Sequence, residues 1–152
     1  MLSKTWIVIS VGLLVVMGIY SAFNSSYERS IEAKFYYAIG DYKTAHKLAQ
    51  EAFELDSYNR MAATIMTQSQ TALLFVDYIA EAKRYMKQIS SFAEAASISE
   101  ADRSKIKLIC EIMIDSYVKI SPTVLTDEEL VQESRYYYEQ FVKLHEKVTE
   151  TL

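Results

Sequence analysis

The sequence predicts an all-α fold, on three observations. Three glycines and one proline in 152 residues are too few for the many tight turns of a sandwich or barrel. Apolar residues recur at three- and four-residue intervals along most of the chain, the spacing of one helix face. Helix stop and start signals fall between those runs. The order they predict is an N-terminal transmembrane helix, a helical hairpin and three further amphipathic helices. The expected division is a cytoplasmic tip and anchor over 1–25 and a helical domain over 26–152.

The first element is the apolar leader. Thr5 to Phe23 reads TWIVISVGLLVVMGIYSAF, nineteen residues without a charge. As a helix it is about 28 Å long, close to the thickness of a bilayer's hydrocarbon core. Trp6 and Tyr20 stand near its ends, where amphipathic rings favour the membrane interface. A cleaved secretory signal competes with this reading, because MLSK is a basic start and the most apolar stretch, Ile7 to Ile19, is short. Cleavage needs small residues at the first and third places before the cut. Cutting after Ala22 puts Tyr20 in the outer place, and cutting after Phe23 puts an aromatic beside the bond, so an uncleaved anchor is expected. Lys4 and the amino terminus precede the span, whereas NSSYERS after it is neutral. Positive charge stays inside, so the helical domain is expected on the outer side, in a bacterium the periplasm.

The hairpin comes next. Ile31, Phe35 and Ala38 fall on one helix face, which Tyr36 and Ile39 widen. After Gly40-Asp41-Tyr42 a second periodic run follows: Ala45, Leu48, Ala49, Ala52 and Phe53. Two helices of about thirteen residues joined by so short a turn make an αα-hairpin. Gly40 stands where the first helix must stop, in a left-handed conformation that strains any side chain. Asp41 is then the cap of the second helix. Ala33 with Ala45, Ala49 and Ala52 forms a bare stripe that lets the two axes approach, while Tyr36 and Phe53 fill the space beside it.

With these residues in view, AKFYYAIGDYKTAHKLAQEAFELDSYN resembles a tetratricopeptide repeat, one copy over 26–59. The family's first-helix tyrosine falls on Tyr36, its Gly-Asp-Tyr turn on Gly40, Asp41 and Tyr42, and its second-helix alanines on Ala45 and Ala52. Departures are Arg29 and Glu32 in place of apolar first-helix residues, and Ser57 in place of the closing proline. The resemblance implies a groove, lined by the first helix, that holds a peptide or helix of another protein. Tyr27, Ser30, Lys34 and Tyr37 on that helix are the candidate partner contacts: two tyrosines supply area and a lysine supplies charge for an extended or acidic segment.

A second copy should begin near Arg60, yet nothing like Gly-Asp-Tyr interrupts the helical pattern there. Phe75, Tyr78, Ala82, Tyr85, Ile89, Phe92 and Ala96 instead mark one long helix expected to pack onto the hairpin. Ser99, three residues before Asp102, caps the next helix, with Ile106, Ile109, Cys110, Met113, Tyr117 and Ile120 as its stripe; Ser121-Pro122 ends it. Thr126 to Glu129 reads as a capping box in which Glu129 reaches back to a Thr126 cap. In the last helix Leu130, Ser134, Tyr137, Phe141, Leu144 and Val148 form a heptad-like seam, which fits either a neighbour in the chain or a helix of another chain.

Chemistry is not expected. A net charge of −4, a pI near 5.2 and the lack of any basic run leave no nucleic-acid footprint. Cys110 is a lone cysteine, so an internal disulfide is excluded. His46 and His145 lie far apart without a metal-ligand pattern, and Glu111 with Asp115 reads as a solvated acidic face. No cofactor, metal or small-molecule substrate is anticipated, and no enzyme. The expectation is a membrane-anchored scaffold docking onto subunits of a bacterial envelope complex of the secretion, pilus or flagellar-motor type. A membrane-tethered targeting receptor or chaperone is the alternative.

Overall fold

In the computed structural model the described residues are 4–22, 25–93 and 98–150, with the side chains of 4–5, 19–22 and 93 outside that description. Regular structure among them is wholly helical: α1 (Lys4–Ala22), α2 (Ser25–Ala38), α3 (Tyr42–Leu55), α4 (Arg60–Ala93), α5 (Glu100–Val118) and α6 (Glu128–Glu150). The chain divides into two compact units, Met1–Ser69 and Gln70–Leu152. That boundary lies inside α4, where no glycine or proline marks it in the sequence.

In the first unit, α1 exposes every described side chain from Trp6 to Gly18. Among the described residues no helix is long and apolar enough to cross a membrane. The rest of the expected span, from Ile19 to Phe23, carries Tyr20, whose side chain lies outside the described residues, as does the Phe23-Asn24 junction to α2.

The α2–α3 hairpin is closed by its loop. Asp41 N–H donates to Tyr36 C=O at 2.9 Å and Gly40 N–H to Tyr37 C=O at 3.1 Å, the paired bonds of a Schellman motif. Gly40 supplies the left-handed residue with φ of 81°. A Cβ built on Gly40 would meet nothing within 4 Å, so the requirement is on the backbone angle rather than on space. Gly40→Ala should therefore lower the stability of this unit by about 1 kcal/mol. Urea titration by circular dichroism measures it, with Gly40→Asn expected to lose less. Asp41 begins α3 by accepting from Thr44 N–H at 3.0 Å, and the Thr44 hydrogen bonds hold its carboxyl below the ordinary value.

Small residues make the seam between α2 and α3. Ser26, Ser30 and Ala33 of α2 are buried, as are Tyr42, Ala45, Ala49 and Ala52 of α3. Arg29 of α2 pairs with Glu51 of α3 along its edge. Ala33 takes the seam position that the sequence predicts, while the apolar face of Ile31, Phe35 and Ala38 is turned out: Ile31 is 62% and Phe35 60% exposed. The reason is the close approach. A seam whose α3 side is alanine selects the smallest face of α2, and bulky side chains there would hold the axes apart.

Four residues connect α3 to α4. Asn59 N–H donates to Asp56 C=O at 3.0 Å, and Tyr58 N–H donates to the Asp56 carboxylate at 2.9 Å. The Asn59 side chain then caps α4 by accepting from Ala62 N–H at 3.1 Å. That bond assigns its oxygen, leaving the amide NH₂ to donate at 2.8 Å to each of the Ser26 and Ser30 hydroxyls. Ser26 donates onward to Ala52 C=O at 2.7 Å, and Ser30 to Ser26 C=O at 2.9 Å. One buried asparagine thus ties α2, α3 and α4 together with its hydrogen-bonding capacity used. A further tie is His46 Nδ1–H of α3 donating to Met66 C=O of α4 at 3.0 Å; a carbonyl only accepts, so this nitrogen carries the proton.

The second unit is a core of α4, α5 and α6. Tyr78, Ile79, Ala82 and Ile89 of α4 pack with Ile106, Ile109, Cys110 and Met113 of α5 and with Phe141 of α6. The α4 stripe beyond Tyr78 therefore packs onto α5 and α6, where the sequence reading had put it on the hairpin; Ala96 lies outside the described residues. Leu130, Tyr137, Leu144 and Val148 pack against the same core, so the α6 seam is spent within its own chain. Lys83 of α4 and Glu133 of α6 pair at 2.8 Å. Ser99 caps α5, accepting from Asp102 N–H at 3.1 Å. At α6 the expected capping box is replaced: the helix starts at Glu128, Asp127 accepts from Glu129 N–H at 2.9 Å, and the Thr126 hydroxyl accepts from Thr123 N–H instead.

Two acids in this core favour their neutral forms. Burial, with the Glu111 carboxylate adding to it, pushes the Cys110 thiol up to about 11. Burial, with Tyr117 and Tyr138 adding to it, raises the Tyr78 hydroxyl above its ordinary value. Both groups bind their proton more tightly folded than unfolded. Their contribution to stability is complete below the unfolded pKa and lost as pH rises through the folded one. For Cys110 that window runs from 9.0 to about 11. A thermal midpoint followed from pH 7 to 11 should fall above pH 9, and less steeply in Cys110→Ala. Tyr78 has the only buried side-chain polar atom without a hydrogen bond among the described residues. Tyr78→Phe should therefore raise stability, by about 1 kcal/mol, in the same melting experiment.

Candidate protein-binding groove

Between α2 and the start of α4 lies a groove of about 410 Å³. Helix α2 lends Lys34 and Tyr37; α4 lends Arg60, Thr64 and Gln68 at one-turn intervals, with Met61 and Ile65 beside them. The floor is apolar. Ile65 is buried, Met61 and Tyr37 are half-buried, and the Tyr37 ring meets the Tyr42 ring edge-on at 5.3 Å.

The rim is cationic. Lys34 and Arg60 are exposed, and neither has an ion-pair partner among the described residues. Arg60 is also the first residue of α4, whose N-terminal backbone dipole adds partial positive charge at that end. Two cations above an aromatic and aliphatic floor suit a segment that carries a carboxylate and an apolar side chain, the carboxylate meeting a guanidinium in bidentate fashion.

Of the four contacts expected from sequence, Lys34 and Tyr37 line this groove. Tyr27 is partly exposed two turns earlier on α2 and does not line it. Ser30 is corrected: it is fully buried, accepting from Asn59, and touches no solvent. It precedes Lys34 by one turn, but the Asn59 side chain, from the connection before α4, binds it there. Arg60, Met61, Thr64, Ile65 and Gln68 were missed by sequence reasoning. The signal that finds them is the one-turn spacing of Arg60, Thr64 and Gln68 immediately after a capping asparagine.

Among the described residues no group of three or more His, Cys, Asp or Glu could hold a metal ion. His145 Nε2 lies 3.4 Å from Glu111, joining α6 to α5 without a third ligand. Comparison with known proteins finds no matching family model, no similar curated protein and no similar solved structure.

Proposed function

We propose that this protein is a non-enzymatic, membrane-anchored adaptor, with a tetratricopeptide-like hairpin that docks onto other subunits of a bacterial envelope complex. The carrying observation is the groove between α2 and α4, where the unpaired Lys34 and Arg60 stand over Tyr37, Met61 and Ile65. A tetratricopeptide-like reading is supported by the hairpin's glycine turn and alanine seam, and by the start of α4 at Arg60, about one repeat length of ~34 residues after the start of α2 at Ser25. An anchor is supported by the nineteen uncharged residues from Thr5 to Phe23 and by the exposure of the apolar side chains of α1, which water alone solvates poorly. With Lys4 before that segment, the helical domain lies outside the cytoplasm, in the periplasm of a bacterium. The anchor confines the groove to a thin layer at the membrane and so raises its effective concentration toward membrane-bound partners.

The test is purification from native membranes. The wild-type chain should bring a defined set of subunits, and the double reversal Lys34→Glu with Arg60→Glu should lose them while its thermal melt is unchanged. Recovery of the wild-type chain as a free monomer, or an unaltered assembly in the reversed variant, overturns the proposal.

A further inference from the structure

The apolar face of α2 that carries Ile31 and Phe35 is exposed. Tyr27, Ile31, Phe35 and Ile39 follow one another at one-turn intervals and are 40%, 62%, 60% and 60% exposed. They belong neither to the α3 seam of Ser26, Ser30 and Ala33 nor to the groove. Four large apolar side chains in one row form the kind of exposed patch that marks an interaction surface.

Charge indicates what covers it. Glu28 and Glu32 lie one turn apart along one edge of the row, and neither has an ion-pair partner among the described residues. Like charges at this spacing repel. Glu28 gains from its place in the first turn of α2, but Glu32 lies beyond that turn. The opposite edge holds one cation, Lys34. A second copy packed antiparallel would set these glutamates against themselves, and one packed parallel offers a single lysine against two carboxylates. An anionic lipid surface is repelled by the same pair.

We infer that the outer face of α2 receives an amphipathic helix of another protein, its apolar stripe laid on Tyr27, Ile31, Phe35 and Ile39 and its lysines or arginines along the Glu28–Glu32 edge. Binding of this kind is read by anchors one turn apart, the apolar row supplying affinity and the charged edge supplying orientation. The surface is distinct from the cationic groove and selects the opposite charge.

The experiment uses the full chain in phosphatidylcholine nanodiscs and two fluorescent 18-residue helical peptides with identical leucine positions, one carrying lysine and the other glutamate at the remaining sites. Anisotropy is read against discs holding the Phe35→Asp chain, which removes any contribution from lipid. The lysine peptide should bind the wild-type chain and at least tenfold more weakly to Phe35→Asp. Glu28→Lys with Glu32→Lys should reverse the preference toward the glutamate peptide, an outcome that a merely structural role for these residues does not produce. Lys34→Glu with Arg60→Glu should leave lysine-peptide binding in place, separating this surface from the groove. Equal binding of both peptides, insensitivity to Phe35→Asp, or light scattering that shows the wild-type chain paired and Phe35→Asp unpaired would overturn the inference.

Discussion

Replacing Asn59 should cost the first unit more than any other single polar change, about 3 kcal/mol for Asn59→Ala. The side chain is fully buried and performs two tasks. As the cap of α4 it satisfies Ala62 N–H, a role worth ~1 kcal/mol. As a double donor it binds the Ser26 and Ser30 hydroxyls inside the hairpin, and removing it leaves a buried N–H and two serine oxygens short of partners at about 1–3 kcal/mol in all. Against a typical domain stability of about 5–15 kcal/mol this is a large fraction. Asn59→Asp distinguishes the tasks. A carboxylate caps as well as an amide does, so if capping were the whole contribution the aspartate variant would match wild type. If the donors matter, the carboxylate faces two serine oxygens as a buried acceptor, and the loss should equal or exceed that of alanine at neutral pH. Urea unfolding of both variants by far-ultraviolet circular dichroism gives the comparison. A loss under 1 kcal/mol in both would show that the network contributes only its cap.

The same network explains which parts of the fold were legible from sequence. The α5 stripe and the α6 seam were readable because bulky apolar residues recur at helical spacing with nothing to rival them, and Ile106, Ile109, Cys110, Met113 and Phe141 are buried. Gly40 was readable because a left-handed residue leaves few choices. Helix α2 was legible only in part: Ala33 falls in the seam as its stripe predicts, but the helix carries two rival faces. Hydrophobicity ranks Ile31, Phe35 and Ala38 first, but the choice is made by α3, whose alanines admit only the serine and alanine face. That face is then held by Asn59, 33 residues from Ser26, a pairing that no local pattern announces. The groove divides the same way. Lys34 and Tyr37 could be named from α2 alone, whereas Ser30 was misplaced and Arg60, Met61 and Ile65 were missed, because all four depend on where α4 begins.

In the second unit, Phe141→Ala should lower stability by about 3–5 kcal/mol, the range for deleting a fully buried ring. Phe141 has no exposed surface and stands in the cluster formed by α4, α5 and α6. Lys83–Glu133 and His145–Glu111, which also join those helices, are exposed or partly exposed pairs. Surface pairs of that kind contribute about 0–1 kcal/mol each, so packing around this ring carries the unit. Phe141→Leu keeps most of the volume and should lose roughly 1–2 kcal/mol, while Leu144→Ala at a half-buried site should fall below the full-ring loss. The measurement also decides how the seam is used. A helix closing its own core gives an unfolding midpoint independent of protein concentration, in wild type and in Phe141→Ala alike. A helix whose seam pairs with another chain gives a midpoint that climbs with concentration in wild type, and Phe141→Ala would abolish that dependence while changing the monomer little. The burial of Ser134, Phe141 and Met113 within one chain leads us to expect the first result.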